Sequence, residues 1–335
     1  MVIGAGQAGL AIGRQLAAQR RDFVILEASP QVAPSWRSRW DSLVLFTPRS
    51  VDGLPGLRFP AAGPTFPGKQ EVVSYLERYT AHFSLPVRYA TRITALRRED
   101  DAFAAVSAAG DTFSTRQVVV ATGPYQKPRV PRFAADLPSD IVQLHSSEYR
   151  NPSQLPAGDI LVVGGANSGA QIAEDLLRTH RVALSSGRRL RTPPAWLRAT
   201  RLFWGLLGLG ERVGASLRRR TPRGPVGRAA FVVPSLGSLA ARGVDVIGRA
   251  IAADSAGLAL DDGTRVRPAC VIWATGYVQD HGWIEGAPLD DDGLPRHYDG
   301  VTRVPGLYFL GMTGVASLLP HIGRAARVLA ERMRR

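Results

Sequence analysis

Two rhythms of apolar and polar positions alternate along this chain, and the places where one replaces the other mark its organisation. Val2-Ile3 is a short apolar run that breaks at Gly4-Ala5-Gly6-Gln7-Ala8-Gly9. Residues 10–18 then keep apolar positions at helical spacing, and Asp22-Phe23-Val24-Ile25-Leu26-Glu27 is an apolar run closing on an acid. The pattern predicts strand, glycine turn, helix and strand. It occurs a second time: Ile160-Leu161-Val162-Val163 runs into Gly164-Gly165-Ala166-Asn167-Ser168-Gly169, a helical period over 170–178, and Val182-Ala183-Leu184. The two units also close alike, on Val118-Val119-Val120-Ala121-Thr122-Gly123 and on Val271-Ile272-Trp273-Ala274-Thr275-Gly276, after intervals of nearly equal length. Between turn and close, each carries a β-rich insert with a turn signal, Gly110-Asp111 and Asp262-Gly263. Residues 307–310 read as a further strand and 324–332 as an amphipathic helix, with Pro320 suited to a first helical turn. Residues 196–209 predict a helical packing element or lid, with Phe203 and Trp204 assigned to packing rather than to a pocket.

A glycine turn between strand and helix has a physical use. Its first glycines allow a tight bend and close backbone approach to a pyrophosphate, the third lets helix pack on strand, and the helix N-terminus offers free N–H groups and partial positive charge. Glu27, at the end of the second strand, is placed to accept hydrogen bonds from ribose hydroxyls. One such turn is weak evidence, but two in equivalent frames predict an α/β protein with two Rossmann-like dinucleotide-binding domains. Ala166 takes the middle glycine position of the second turn, with Gly165 beside it. After Val182-Ala183-Leu184 no acid follows. Ser185-Ser186-Gly187-Arg188-Arg189 instead offers hydroxyls and guanidinium groups, which suit a 2′-phosphate and so favour NADPH over NADH.

Composition narrows the picture. With 335 residues, 45% of them hydrophobic, the chain is long enough for two domains with real cores. The formal charge of +14 raises nucleic acid as a partner, yet all basic residues except Lys69 and Lys127 are arginine, a bias expected to be spread over the surface. Nucleic acid is therefore not expected. The densest run, Arg218-Arg219-Arg220 with Arg223 and Arg228, reads as a solvated loop, with contact to an anionic substrate or membrane surface left open. Cys270 is the single cysteine, so no intrachain disulfide or CxxC pair can form, and a cytoplasmic location is the expectation. No apolar run reaches the ~20 residues of a membrane span. Only three residues precede Gly4, fewer than the ~5 of an ordinary strand, which points to a start upstream of Met1.

Other segments carry a family resemblance. Pro34-Ser35-Trp36-Arg37-Ser38-Arg39-Trp40-Asp41-Ser42-Leu43, Phe46-Thr47-Pro48, Leu54-Pro55-Gly56, Phe66-Pro67, Leu144-His145-Ser146-Ser147-Glu148-Tyr149-Arg150-Asn151-Pro152, Trp273-Ala274-Thr275-Gly276-Tyr277 and Pro305-Gly306-Leu307-Tyr308-Phe309-Leu310-Gly311 resemble the flavin-containing monooxygenase superfamily over nearly the whole chain. The resemblance implies a two-dinucleotide-binding-domain flavoprotein whose NADPH domain is inserted in its FAD domain, with boundaries at 1–154, 155–278 and 279–335. It implies FAD on Gly4, Ala5, Gly6, Gln7, Ala8, Gly9, Glu27, Trp36, Thr47, Thr122, Gly123 and Gly311. NADPH falls to Gly164, Gly165, Asn167, Ser168, Gly169, Ser186, Arg188, Arg189, Thr275 and Gly276. It also implies that NADPH reduces FAD, and that reduced FAD with O2 gives a C4a-(hydro)peroxyflavin able to oxygenate a small organic substrate. His145 is the one candidate for a catalytic side chain, with a structural or nucleotide-contacting role favoured. His281, His297 and His321 are too scattered for ligands, and no metal is expected. Ser139 and Ile141 replace the phenylalanine and glycine that many relatives carry before this histidine, which does not favour Baeyer–Villiger chemistry. Met312 stands where many flavoproteins place a ribityl-binding aspartate. A flavin oxidoreductase without oxygen insertion and an FAD-binding redox sensor remain as alternatives, and the oligomeric state is open, a homodimer among the options.

Overall fold

The structure, a computed structural model, describes residues 1–60, 65–187, 192–207, 209, 232–312 and 318–334. Two five-stranded parallel sheets dominate it. The first orders its strands as Leu307–Phe309, Val118–Val120, Val2–Ile3, Ile25–Leu26 and Val87–Arg88. The second runs Asp245–Ile247, Val182–Ser185, Ile160–Val163, Cys270–Trp273 and Val142–His145. In each, the strand before the glycine turn is central, and its side chains are buried on both faces, as the unbroken apolar runs require. Each sheet is accompanied by a three-stranded antiparallel sheet: Ile93–Glu99, Ala102–Ser107 and Thr112–Thr115 in the first half, Ala250–Asp254, Gly257–Leu260 and Arg265–Val266 in the second. The expected turns fall between their strands, with Gly110 and Gly263 at φ +90° and +86°, where glycine carries no steric penalty.

The chain crosses between the halves twice. The two crossings meet as an antiparallel ribbon, Lys127–Pro128 against Tyr277–Val278. The edge strand Val142–His145 joins the second sheet although it lies upstream of residue 155. After the second half, Leu307–Phe309 returns to the first sheet and the C-terminal helix Leu319–Arg332 packs on the first dinucleotide helix, Gln7–Ala18. Pro320 sits in the first turn of that helix. Gly323 leaves room for Pro55, whose ring would come within 2.7 Å of a Cβ there.

Candidate functional site

The two glycine turns are built by the same contacts. Gly4 has φ +106° and Gly164 φ +120°, a region that excludes most side chains, and each lies against the closing segment of its own domain. A Cβ on Gly4 would stand 2.7 Å from the Ala121 carbonyl oxygen, and one on Gly164 2.3 Å from that of Ala274. The third glycine is stricter still. A Cβ on Gly9 or Gly169 would fall 1.8 Å from the carbonyl oxygen of Gly4 or Gly164, so helix and turn meet backbone to backbone. The middle position differs. Around Gly6 nothing lies within 4 Å of a would-be Cβ, so its open side faces free space at the N-terminus of Gln7–Ala18, and no side chain caps that helix. This open cradle of free N–H groups fits a pyrophosphate. Ala166 holds nearly the same backbone angles as Gly6, φ −84° and ψ −177° against −77° and −176°, so alanine is accommodated there without strain. Gly165 serves its neighbour: a Cβ on it would lie 2.2 Å from the Ser186 hydroxyl.

Residues at the carboxyl ends of the strands surround each turn. Glu27 is 5% exposed and accepts from the Ala5 N–H at 2.7 Å and the Ser29 N–H at 2.8 Å. Each carboxylate oxygen keeps a second lone pair for a ribose hydroxyl. Trp36, on the short helix Pro34–Arg37, donates its indole N–H to Gln7 at 3.0 Å, which brings two expected flavin contacts together. Thr47 is buried nearby in sequence to Asp52, a fully buried carboxyl whose oxygens find no well-aligned hydrogen-bond partner. Burial pushes the Asp52 pKa up to about 7, offset only partly by Thr47 and Arg49. Thr122 and the Gly123 carbonyl both accept from the Gln126 amide, at 3.1 and 2.9 Å. Gly311, at φ +72°, lies where a Cβ would approach Ala8 to 2.7 Å, so the C-terminal return closes directly on the first helix. In the second half Asn167 accepts from the Val233 N–H at 2.8 Å, and the Thr275 hydroxyl donates to the Arg129 carbonyl. Ser168 sits in the first turn of Asn167–Leu176. Arg188 and Arg189 lie outside the described residues, as do Arg218, Arg219, Arg220, Arg223 and Arg228.

His145 is 3% exposed at the end of its edge strand. Its Nε2 donates to the Gly276 carbonyl at 3.0 Å, while Nδ1 accepts from the Ser147 N–H at 3.1 Å and meets the Ser147 hydroxyl at 2.8 Å. Both nitrogens are thus engaged by protein, and burial lowers the pKa. The geometry is that of a latch on the second crossing segment.

Sequence reasoning missed a second layer of residues that ties the halves together. The Arg39 guanidinium lies over the rings of Tyr125 and Tyr277, 4.9 and 5.2 Å from their centroids, and donates to the Tyr277 hydroxyl. Gln171, on the second dinucleotide helix, donates to the Val44 carbonyl at 2.8 Å, and Arg198 donates to the Phe46 carbonyl at 3.3 Å. Asp41 accepts from Lys69 at 2.8 Å and Asn151 at 2.9 Å. The segment after Trp36 is therefore gripped from both halves. In sequence this segment shows its family resemblance but none of these contacts. Among the described residues no group of His, Cys, Asp or Glu has metal-binding geometry. Cys270 is fully buried in its strand and burial pushes its thiol pKa up to about 11, so it is no redox thiol.

Two nucleotide cradles at the carboxyl ends of two parallel sheets, joined by a double crossing, define the class of two-dinucleotide-binding flavoproteins. Residues 1–199 match the family model of pyridine nucleotide-disulphide oxidoreductases. An oxidoreductase described as CzcO-like, from Geobacillus kaustophilus, is 37% identical over 93% of this chain and 90% of its own. The indole-3-pyruvate monooxygenase YUCCA1 of Oryza sativa is 37% identical over 53% of this chain and 45% of its own. Among solved structures, a flavin-containing monooxygenase from Stenotrophomonas maltophilia superposes with a TM-score of 0.81 at 26% identity, covering 99% of this chain and 97% of the other. The chain belongs to the pyridine nucleotide-disulphide oxidoreductase family and, within it, to the flavin-containing monooxygenase superfamily.

Proposed function

We propose that the protein is an FAD- and NADPH-dependent monooxygenase that transfers one atom of O2 to a small organic substrate bearing a nucleophilic sulfur or nitrogen or a carbonyl group. The observation that carries this is the pair of uncapped glycine-turn cradles, one with an acid at its ribose position and one with hydroxyls and arginines there. When bound, flavin supplies the hydride acceptance and oxygen activation, and the side chains need only bind, orient and exclude water. Gly4, Gly6 and Gly9 admit the pyrophosphate and Glu27 holds the ribose. Thr122, Gly123 and Gly311 frame the far side, with Trp36 and Thr47 in the covering segment. Gly164, Gly165, Asn167, Ser168 and Gly169 repeat the cradle for the nicotinamide nucleotide, with Ser186, Arg188 and Arg189 toward its 2′-phosphate and Thr275 and Gly276 at the closing end. The Arg39, Gln171 and Arg198 contacts draw the covering segment over the space between the halves and restrict water there.

The test is anaerobic. NADPH should bleach the yellow protein, and oxygen with a panel of sulfides, amines and ketones should place one 18O atom in product per NADPH. Peroxide alone across the panel would replace this with an oxidase, and bound flavin that NADPH cannot reduce would leave a sensor.

A further inference from the structure

Among the described residues the fold buries one arginine or lysine, and it is Arg198, 6% exposed at the end of the short helix Ala195–Arg198. Its Nε donates to the Pro193 carbonyl at 3.2 Å and its Nη1 to the Phe46 carbonyl at 3.3 Å, and the Phe66 ring lies with its centroid 5.0 Å from the guanidinium carbon. A guanidinium has more N–H donors than two carbonyls can use. Among the described residues no carboxylate pairs with it: burial lowers its pKa, and no acid is near enough to offset that. A charge taken out of water without a counter-ion is strongly unfavourable, and a guanidinium does not escape the cost by losing its proton. The surroundings narrow the kind of anion that would complete it. Phe46 stacks on the buried Trp204 at 6.1 Å, Phe203 stands edge-on to Trp204 at 5.1 Å, and the Trp204 indole N–H donates to the Arg198 carbonyl at 2.7 Å. Phe46 also precedes Thr47 in the covering segment, so the charge sits among aromatic rings where that segment meets the second half.

We propose that Arg198 receives the carboxylate of the substrate, and that the molecules this site takes are small organic acids with an aryl or alkyl body. This rests on the reading that the space between the halves holds the substrate. A carboxylate offers two coplanar oxygens to the unused donors of the fork, and the apolar body of the same molecule finds the neighbouring rings. A nucleotide phosphate would use the charge and gain nothing from Phe46 and Phe66. A neutral sulfide, amine or ketone would use the rings and leave the buried charge unpaired.

Titration calorimetry of the full-length, flavin-loaded protein with (phenylthio)acetate and with its methyl ester tests the proposal. Neither NADPH nor O2 is needed, so a protein that oxygenates nothing would fail the earlier test and still pass this one. The acid should bind roughly ten- to a hundredfold more tightly than the ester, the span of one charged hydrogen bond, and should raise the thermal midpoint where the ester does not. R198Q keeps N–H groups for the two carbonyls and removes the charge; it should abolish the preference for the acid and leave ester binding as it was. R198K should retain part of the preference. Affinity for 2′,5′-ADP should be unchanged in both. Should R198Q not fold, R198M takes its place, since exchanging a buried charge for an apolar side chain of similar length is commonly tolerated. Three outcomes would each overturn the proposal: equal binding of acid and ester by the wild type, a preference that survives loss of the charge, or a loss shared by 2′,5′-ADP, which would hand Arg198 to the nucleotide phosphates.

Discussion

Gly6→Val separates the flavin cradle from the fold around it. Gly6 has extended backbone angles open to any residue, and a side chain there meets nothing of the protein within 4 Å. The expected stability cost is that of a poor N-cap residue, about 1 kcal/mol. A branched side chain would nevertheless fill the side on which a pyrophosphate must approach. Two N–H bonds to a charged phosphate, each worth about 1.5–3 kcal/mol, would be lost. Flavin affinity should then drop by roughly 10²- to 10⁴-fold. Gly9→Ala is the contrasting control. Its Cβ would sit 1.8 Å from the Gly4 carbonyl oxygen, so helix and strand must part, at about 3 kcal/mol or more. Flavin content per chain, FAD titration calorimetry and thermal midpoint of both variants decide the matter. Gly6→Val should be folded and nearly colourless, Gly9→Ala both colourless and destabilised. A folded, fully yellow Gly6→Val, or one as unstable as Gly9→Ala, would refute the reasoning.

Three further outcomes follow, the first from the sequence and the other two from the structure. Arg188→Ala and Arg189→Ala, alone and together, should weaken NADPH by roughly ten- to a hundredfold and leave NADH almost unchanged; stopped-flow flavin reduction with both nucleotides checks this, and equal losses would reject the 2′-phosphate assignment. Asp52 has a folded pKa of about 7, above its unfolded value of 3.8, so its contribution to stability is complete at low pH and is lost as pH rises through 7. Asp52→Asn should flatten that loss, by at most about 3 kcal/mol, in urea unfolding between pH 5 and pH 8; an unchanged pH slope would exclude the carboxyl as its source. Native protein should react slowly with a thiol reagent at pH 8 and fast in denaturant, because Cys270 is buried and its pKa is about 11; rapid native labelling would contradict this.

Much of the fold was written in local pattern. The two glycine turns, their closing strands, the hairpin turns at Gly110 and Gly263 and the Pro320 helix start each follow from residues close in sequence, whose period or φ requirement is visible without tertiary knowledge. The strand Val142–His145 was not, because its alternation is weak and only its pairing with Cys270–Trp273 makes it a strand. The Arg39 cage escaped for the same reason: Tyr125 and Tyr277 are far from it in sequence, and cation–π contacts leave no periodic trace. For His145 the sequence favours a structural or nucleotide-contacting role, but its partners, the Gly276 carbonyl and Ser147, cannot be read from the motif. The buried state of Asp52 is likewise illegible in a stretch that reads as a polar turn.

The nested strand order also fixes a sequence of events during synthesis. Val2–Ile3 is the middle strand of the first sheet, yet one edge of that sheet and the helix that packs on Gln7–Ala18 are encoded only at residues 307–332. The second sheet needs nothing beyond Trp273. A chain leaving the ribosome can complete its second nucleotide domain while the first still lacks an edge and exposes the apolar side of its opening helix. The half that is translated first is therefore the half that matures last, and the glycine at position 311, among the final pieces to arrive, closes against Ala8, among the earliest.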